Sequence, residues 1–168
     1  MKIDTITWPE HSEPAVNLSQ PVGIGAPNQW GDVLLIQVLL KFVYNKRNPI
    51  EASFIWGANL DYKPQGHMDD LTKQAITNFQ LFNRNKLYTT AIDGRIDVAH
   101  YQNRTINQNK PLMTITLLHV MASDTAWKRG KWFRDDNIPA YWYELVNISQ
   151  AMSVAKLEHT PWPSFSRH

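Results

Sequence analysis

The segment from Trp127 to Arg134 carries side chains well suited to hold a ligand. It reads WKRGKWFR and combines three aromatic rings with four cations. Aromatic faces stack on sugar rings or bases, and cations pair with phosphate or carboxylate groups. In the alternative interpretation the tryptophans pack inward and only the cations stay solvated, because tryptophan is often largely buried. We take Trp127 and Trp132 as candidate ligand contacts.

Catalytic and metal-binding side chains form no recognised pattern. The chain has no cysteine, which removes thiolate ligands, disulfides and a cysteine nucleophile. Its six histidines lack an H-E-x-x-H or comparable spacing, although His67 and His100 lie near two related loop motifs. Hydrolysis needs two facing carboxylates, a zinc site or a nucleophile with its base, and such spatial sets are invisible in sequence. We predict no catalytic residue, no metal and no cofactor, and an enzyme is the less favoured interpretation.

One short motif occurs twice and predicts how two helices begin. The copies are QGHMD, from Gln65 to Asp69, and DGRID, from Asp93 to Asp97. Glycine permits a tight turn, and an aspartate that accepts backbone N–H groups at a helix start contributes about 1 kcal/mol. Asp69 and Asp97 are therefore predicted to be structural helix caps rather than ligand contacts. Asp32, which precedes a long apolar run, is predicted to cap a helix in the same way.

Two glutamines interrupt otherwise apolar helical patterns. Gln37 lies within VLLIQVLL, and Gln80 follows the helical series that ends at Phe79. A buried amide must be hydrogen-bonded. We therefore expect each glutamine to hold the backbone of a loop, with substrate binding as the alternative.

Periodicity and turn residues predict the elements that position these side chains. Residues 1–22 are rich in proline and predict an extended N-terminal arm. The apolar run after Asp32 predicts a central helix. Residues from Ala52 to Tyr62 surround Gly57 with β-branched and aromatic side chains and predict a small β-hairpin.

Helical patterns continue through the rest of the chain. A helix is predicted from Asp69 or Asp70, since an apolar series follows at helical spacing: Leu71, Ala75, Ile76, Phe79 and Phe82. A short helix is expected near Asp97, another after Pro111 and a last one after Asn137. Pro161 and Pro163 predict an extended tail.

Charge and hydropathy exclude several partner classes. The formal net charge is +2, far from the basic excess of a dedicated nucleic-acid binder. The N-terminal residues lack the apolar run of a secretory signal, and the longest apolar run, Val33 to Leu40, is too short to cross a bilayer. We expect no nucleic-acid partner and no membrane insertion. Localisation stays open between the cytoplasm and export by a signal-independent route.

Three motifs in order resemble the peptidoglycan-binding-like domain of bacterial cell-wall proteins. They are V-x-x-I-Q-x-x-L from Val33, T-x-x-A-I-x-x-F-Q from Thr72, and I-D-G from Ile92. The resemblance covers about residues 23–104. The chain departs from the family pattern at Gln65, Asp69, Asp97 and His100, and about fifteen extra residues, from Pro49 to Lys63, follow the first helix.

The resemblance implies a mainly α fold. We expect a three-helix core over residues 23–104 with a small β-hairpin insertion, preceded by the arm of residues 1–22. Additional C-terminal helices over residues 105–168 are expected to pack on this core.

The implied function is non-catalytic binding of bacterial peptidoglycan or its fragments. A groove beside the first helix and the glycine loops would use Trp30, Asp93, Gly94 and Arg95 as contacts. One alternative is a protein–protein interaction adaptor or effector of a bacterial secretion system, suggested by the aromatic and proline-rich ends. A second alternative is a cell-wall hydrolase, a muramidase or amidase. The missing cysteine excludes the transpeptidase chemistry sometimes found beside such modules.

Overall fold

The computed structural model describes residues 1–9, 12–45, 48–84, 91–101, 113–128 and 147. Within these residues the chain forms four helices and two small antiparallel sheets, so the prediction of a broadly helical fold is confirmed. The helices are α1 (Trp30–Val43), α2 (Pro49–Trp56), α3 (Asp70–Asn83) and α4 (Thr114–Lys128). The strands are β1 (Lys2–Thr7), β2 (Ser12–Asn17), β3 (Val22–Gly23) and β4 (Arg95–Ile96).

The N-terminal residues form a β-hairpin that joins the core. Strand β1 pairs with β2 in a register that runs from Lys2 opposite Asn17 to Thr7 opposite Ser12. Ile6 and Val16 are fully buried in the same apolar cluster as the helices. A two-stranded sheet has only edge strands, which tolerate proline, so the proline content does not prevent pairing.

Helix α1 is the centre of the core, and its first turn corrects one predicted cap. The helix begins at Trp30 with Gln29 at the N-cap, so Asp32 lies inside the first turn. The buried Asp32 carboxylate accepts hydrogen bonds from the N–H groups of Ser19 and Gln20, at 2.9 and 3.0 Å. It also pairs with the Met1 ammonium at 2.6 Å. Asp32 therefore ties the N-terminal segment to α1 instead of capping the helix.

The β-hairpin predicted for Ala52–Tyr62 is wrong, because Pro49–Trp56 is helix α2. Pro49 fits the first helical turn, where a missing N–H costs nothing. Ala52, Ile55 and Trp56 are buried at helical spacing, and Gly57, with φ 58°, follows the last residue of the helix. Ile55 and Trp56 pack on one helix face, and this burial outweighs their strand preference.

Helix α3 confirms one cap of the repeated motif, and the second copy corrects the other. Asp69 is the N-cap, and its side chain accepts the Thr72 N–H at 2.7 Å. Asp97 caps no helix, because residues 97–101 are irregular and its carboxylate accepts from Arg95 Nε at 2.8 Å. The chain leaves strand β4 and is held at Ala99 by hydrogen bonds to the Asn17 side chain. Those bonds occupy backbone groups that the first turn of the predicted short helix would use.

Helix α4, the helix predicted after Pro111, packs into the shared core. Ile115, Leu118 and Ala122 are fully buried in the cluster that contains α1. Trp127 lies on the last turn of this helix, not in a loop. Trp132, the helix expected after Asn137 and the proline-containing tail lie outside the described residues.

Candidate functional site

The first glycine loop is held by a buried glutamine of α1. Gln37 Oε1 accepts hydrogen bonds from the N–H groups of Gln65 and Gly66, at 2.9 and 2.8 Å. Its Nε2 donates to the His67 carbonyl oxygen at 2.8 Å. One amide side chain thus satisfies three backbone groups of an irregular loop, as a buried polar group requires. The prediction that Gln37 holds loop backbone is confirmed.

The second glycine loop is held by the equivalent atoms of Gln80 in α3. Gln80 Oε1 accepts the Gly94 N–H at 2.8 Å, and Nε2 donates to the Arg95 carbonyl oxygen at 2.8 Å. In both loops the glutamine therefore accepts from the glycine and donates to the carbonyl of the next residue. The repeated sequence motif corresponds to a repeated hydrogen-bond arrangement, and the prediction for Gln80 is also confirmed.

Each motif glycine lies beneath a large side chain. A Cβ atom on Gly66 would lie 2.4 Å from Trp30 Nε1, and a Cβ on Gly94 would lie 2.7 Å from Ile24 Cδ1. Both glycines also have positive φ, 75° and 68°. Glycine is required at both positions because neither the space nor the backbone conformation suits another residue.

One short segment connects the two loops. Ile24 N–H donates to the Gly94 carbonyl at 3.0 Å, and Trp30 Nε1 donates to the Gln65 carbonyl at 3.1 Å. Asn28 closes the turn between them, since its side chain bonds both the N–H and the carbonyl of Gly23.

We call this surface the glycine-loop face. Its members are the turn that joins the loops and the exposed parts of the loops: Ile24, Trp30, Gln65, Gly66, Asp93, Gly94 and Arg95. Ile24 is 56% exposed although it covers Gly94, and the predictions from sequence did not include it. The available sequence signal is an isoleucine between two glycines, Gly23-Ile24-Gly25, where an apolar residue has no helix or strand to join.

The predicted ligand contacts differ in their exposure and in the hydrogen bonds and ion pairs that they already form. Asp93 is exposed, but its Oδ1 accepts from the Arg95 N–H at 2.9 Å and from Gln80 Nε2 at 3.1 Å. Gly94 is buried, and Trp30 is half-buried over Gly66. The Arg95 side chain is partly exposed and forms an ion pair with Asp97. The structure therefore places Trp30 over the first loop and the other three residues in the second loop, at the two ends of the connecting segment. It describes neither the Trp127 side chain nor Trp132.

A polar network supports the first loop from below. The Tyr62 hydroxyl accepts from Gln37 Nε2 at 2.7 Å and donates to Asp69 Oδ2 at 3.1 Å. The Tyr62 ring stacks on Trp56 with 4.8 Å between ring centroids. Burial raises the pKa of Tyr62 to about 12, with the nearby Asp69 charge acting in the same direction. The hydroxyl therefore stays protonated at neutral pH and supports the loop rather than acting as a base.

Comparisons and geometry together give no enzyme signature. No protein-family model, curated protein or solved structure matches the chain. Within the described residues, no three or more His, Asp or Glu side chains are grouped so that they could hold a metal ion. In that same part of the chain, no helix has the length and apolar character needed to span a bilayer. The glycine-loop face combines aromatic, apolar and charged side chains.

Proposed function

We propose that this chain is a non-catalytic module that binds bacterial peptidoglycan. In this proposal α1, α3 and the two glycine loops are a divergent peptidoglycan-binding-like core. The observation that carries it is a repeated arrangement that we call the glutamine clamp: Gln37 and Gln80 each hydrogen-bond the backbone of one glycine loop. The two loops that they hold lie at the ends of one short segment. Fixed loops favour binding because little conformational entropy is lost when a ligand is held.

The glycine-loop face offers groups that match the chemistry of a glycan with peptide stems. Trp30 and the exposed Ile24 supply apolar area against the C–H faces of sugar rings. Arg95 supplies a guanidinium for a stem carboxylate, because arginine pairs well with planar anions. Asp93 Oδ2 supplies an acceptor for a sugar hydroxyl or a stem amine.

Sedimentation with insoluble peptidoglycan tests the proposal. The full chain should pellet with the polymer at low salt, and Arg95→Gln and Ile24→Ser should each weaken binding about tenfold, equivalent to about 1.4 kcal/mol. Lys2→Gln is the matched control, since Lys2 also forms an exposed ion pair, with Asp4 at 3.2 Å on the N-terminal hairpin. A protein that stays in the supernatant, or variants that pellet like Lys2→Gln, would refute the proposed site.

The same mixture separates binding from hydrolysis. A non-catalytic module leaves the polymer intact, so the supernatant should contain no soluble muropeptides after prolonged incubation. Release of fragments that is lost when an Asp or Glu is changed would instead support the muramidase or amidase alternative. The adaptor alternative rests on the aromatic and proline-rich ends of the chain, and co-purification of a stoichiometric partner from the native host tests it.

A further inference from the structure

Helix α2 presents an apolar surface that the core does not use. Ile50 and Phe54 lie one helical turn apart and are 73% and 60% exposed. The Phe54 ring rests on Phe82 of α3, with 5.4 Å between ring centroids. We call Ile50, Phe54 and Phe82 the α2–α3 patch. Neighbouring exposed apolar side chains on one face are typical of an interaction surface.

Stability does not account for the patch. The opposite side of α2 anchors the helix, because Ala52, Ile55 and Trp56 are buried and Trp56 Nε1 donates to the Tyr44 carbonyl at 3.1 Å. Asn78 of α3 adds a hydrogen bond to the Ile55 carbonyl at 3.2 Å. Ile50 and Phe54 leave most of their area in water, so folding gains little from them. They also lie in the residues from Pro49 to Lys63 that the family pattern lacks, outside the glycine-loop face.

The surroundings of the patch favour an acidic partner. The end of α3 lies beside the end of α1, since Phe82 contacts Tyr44 edge to face and Asn83 Nδ2 bonds the Tyr44 hydroxyl at 3.3 Å. Arg84 is exposed immediately after α3. In sequence, residues 45–50 and 83–90 contain Lys46, Arg47, Arg84 and Lys86 and no acid. Glu51 is the single acid of α2.

We propose that the α2–α3 patch docks an acidic amphipathic helix of another protein. Apolar side chains of that helix, spaced at i and i+4, would pack on Phe54 and Ile50, and a carboxylate beside them would meet Arg84. A second copy of this chain fits less well, because a two-fold contact through the patch would bring like charges together.

Fluorescence anisotropy with a labelled synthetic peptide tests this docking surface. The probe is a helical peptide with leucines at i, i+4 and i+7 and glutamate on its other faces, titrated with the full-length chain. A sister peptide with lysine in place of every glutamate is the charge control. The glutamate peptide should bind about tenfold tighter than the lysine peptide, and its affinity should fall as salt is raised.

Four variants of the protein locate the site. Ile50→Ser and Phe54→Ser should each weaken binding about tenfold, and Arg84→Glu should weaken it while leaving every apolar contact in place. Ile92→Ser is the matched control, since Ile92 is an exposed isoleucine of the second glycine loop. Circular dichroism and the thermal midpoint verify folding, which Ile50→Ser should not alter because the side chain lies mostly in water.

Three results would overturn the proposal. Equal binding of the two peptides, or no binding, would remove the acidic partner. Unchanged affinity in Ile50→Ser, Phe54→Ser and Arg84→Glu would place any binding elsewhere. Concentration-dependent dimerisation that Phe54→Ser abolishes would assign the patch to a second copy of the chain.

Discussion

Replacing Gln37 with leucine tests whether the glutamine clamp holds the first glycine loop. Leucine keeps the size and the helix preference but removes the acceptor of the Gln65 and Gly66 N–H groups and the donor to the His67 carbonyl. The hydroxyls of Tyr62 and Thr72 still have each other, at 3.0 Å. The change therefore affects the loop backbone more than the network beneath it.

The size of the effect follows from the burial of the orphaned groups. Gln65 is exposed, so water can bond its N–H, whereas Gly66 is buried beneath Trp30. His67 is exposed as well, so water can also bond its carbonyl. A buried polar group without a partner costs about 1–3 kcal/mol, and the Gly66 N–H is the buried group that loses one. We expect the free energy of unfolding to fall by about 2 kcal/mol.

Urea unfolding followed by tryptophan fluorescence measures this loss. Gln74→Leu is the matched control, because Gln74 is an exposed glutamine of α3, and it should change the free energy of unfolding by less than about 0.5 kcal/mol. Hydrogen exchange gives the local readout, since the Gly66 amide should lose its protection in Gln37→Leu. A loss below about 1 kcal/mol, together with an unchanged Gly66 exchange rate, would refute the clamp.

Three further predictions concern caps, backbone and pH. Asp69→Ala should lower the free energy of unfolding by about 1 kcal/mol, because Asp69 caps α3. Asp97→Ala should change it by less than about 0.5 kcal/mol, because Asp97 only forms an exposed ion pair with Arg95. Urea unfolding measures both losses, and equal losses would contradict this prediction. Gly94→Ala should cost about 2 kcal/mol or more by thermal unfolding, because φ is 68° and its Cβ would meet Ile24. Burial raises the pKa of Tyr44 to about 12 from 10.0, so the folded state keeps its proton after the unfolded state begins to lose it. Stability should therefore be constant below about pH 10 and fall between about pH 10 and 12, less steeply in Tyr44→Phe, and an identical pH profile in that variant would count against the assignment.

A nearly continuous apolar run predicted α1, which is buried on almost every side, and apolar residues at helical spacing predicted α3 and α4. Periodicity succeeded for α3 and α4 because each buries one side of the helix in the core. It did not predict α2, whose eight residues give barely two turns and whose β-branched and aromatic side chains equally suit a strand. A helix of this length is too short for its periodicity to be distinguished from that of a strand. The N-terminal hairpin was missed for a related reason, since its prolines indicate turns but do not show which strands pair.

The sequence predicted that Gln37 and Gln80 hold loop backbone, but it did not predict which backbone groups they bind. A polar residue on a buried helix face must find a partner, so Gln37 and Gln80 indicated loop contacts. The partners of Asp32 were not predictable, because they depend on how the N-terminal segment returns to α1. Asn17 likewise bonds Ala99 across 82 positions of the chain, and no local pattern encodes that tie. These long-range bonds explain why Asp32 holds the N-terminal segment and why the chain after Asp97 does not continue as a helix.

The buried amide side chains of this fold hydrogen-bond backbone groups, and this limits which groups can bind a ligand. Asn17, Gln37 and Gln80 each use both ends of the amide on backbone groups of irregular segments. Their polar atoms are therefore unavailable to a ligand. The glycine-loop face and the α2–α3 patch do not depend on these amides for ligand contacts.

These two surfaces share no residue, so their proposed functions are separable. Effects of changes at sites without shared partners are usually additive. Phe54→Ser should weaken peptide docking about tenfold and leave sedimentation with peptidoglycan unchanged, whereas Arg95→Gln should weaken sedimentation about tenfold and leave peptide docking unchanged. Loss of both activities in either variant would mean that one surface serves both, and the glycine-loop face and the α2–α3 patch would then have to be parts of a single site.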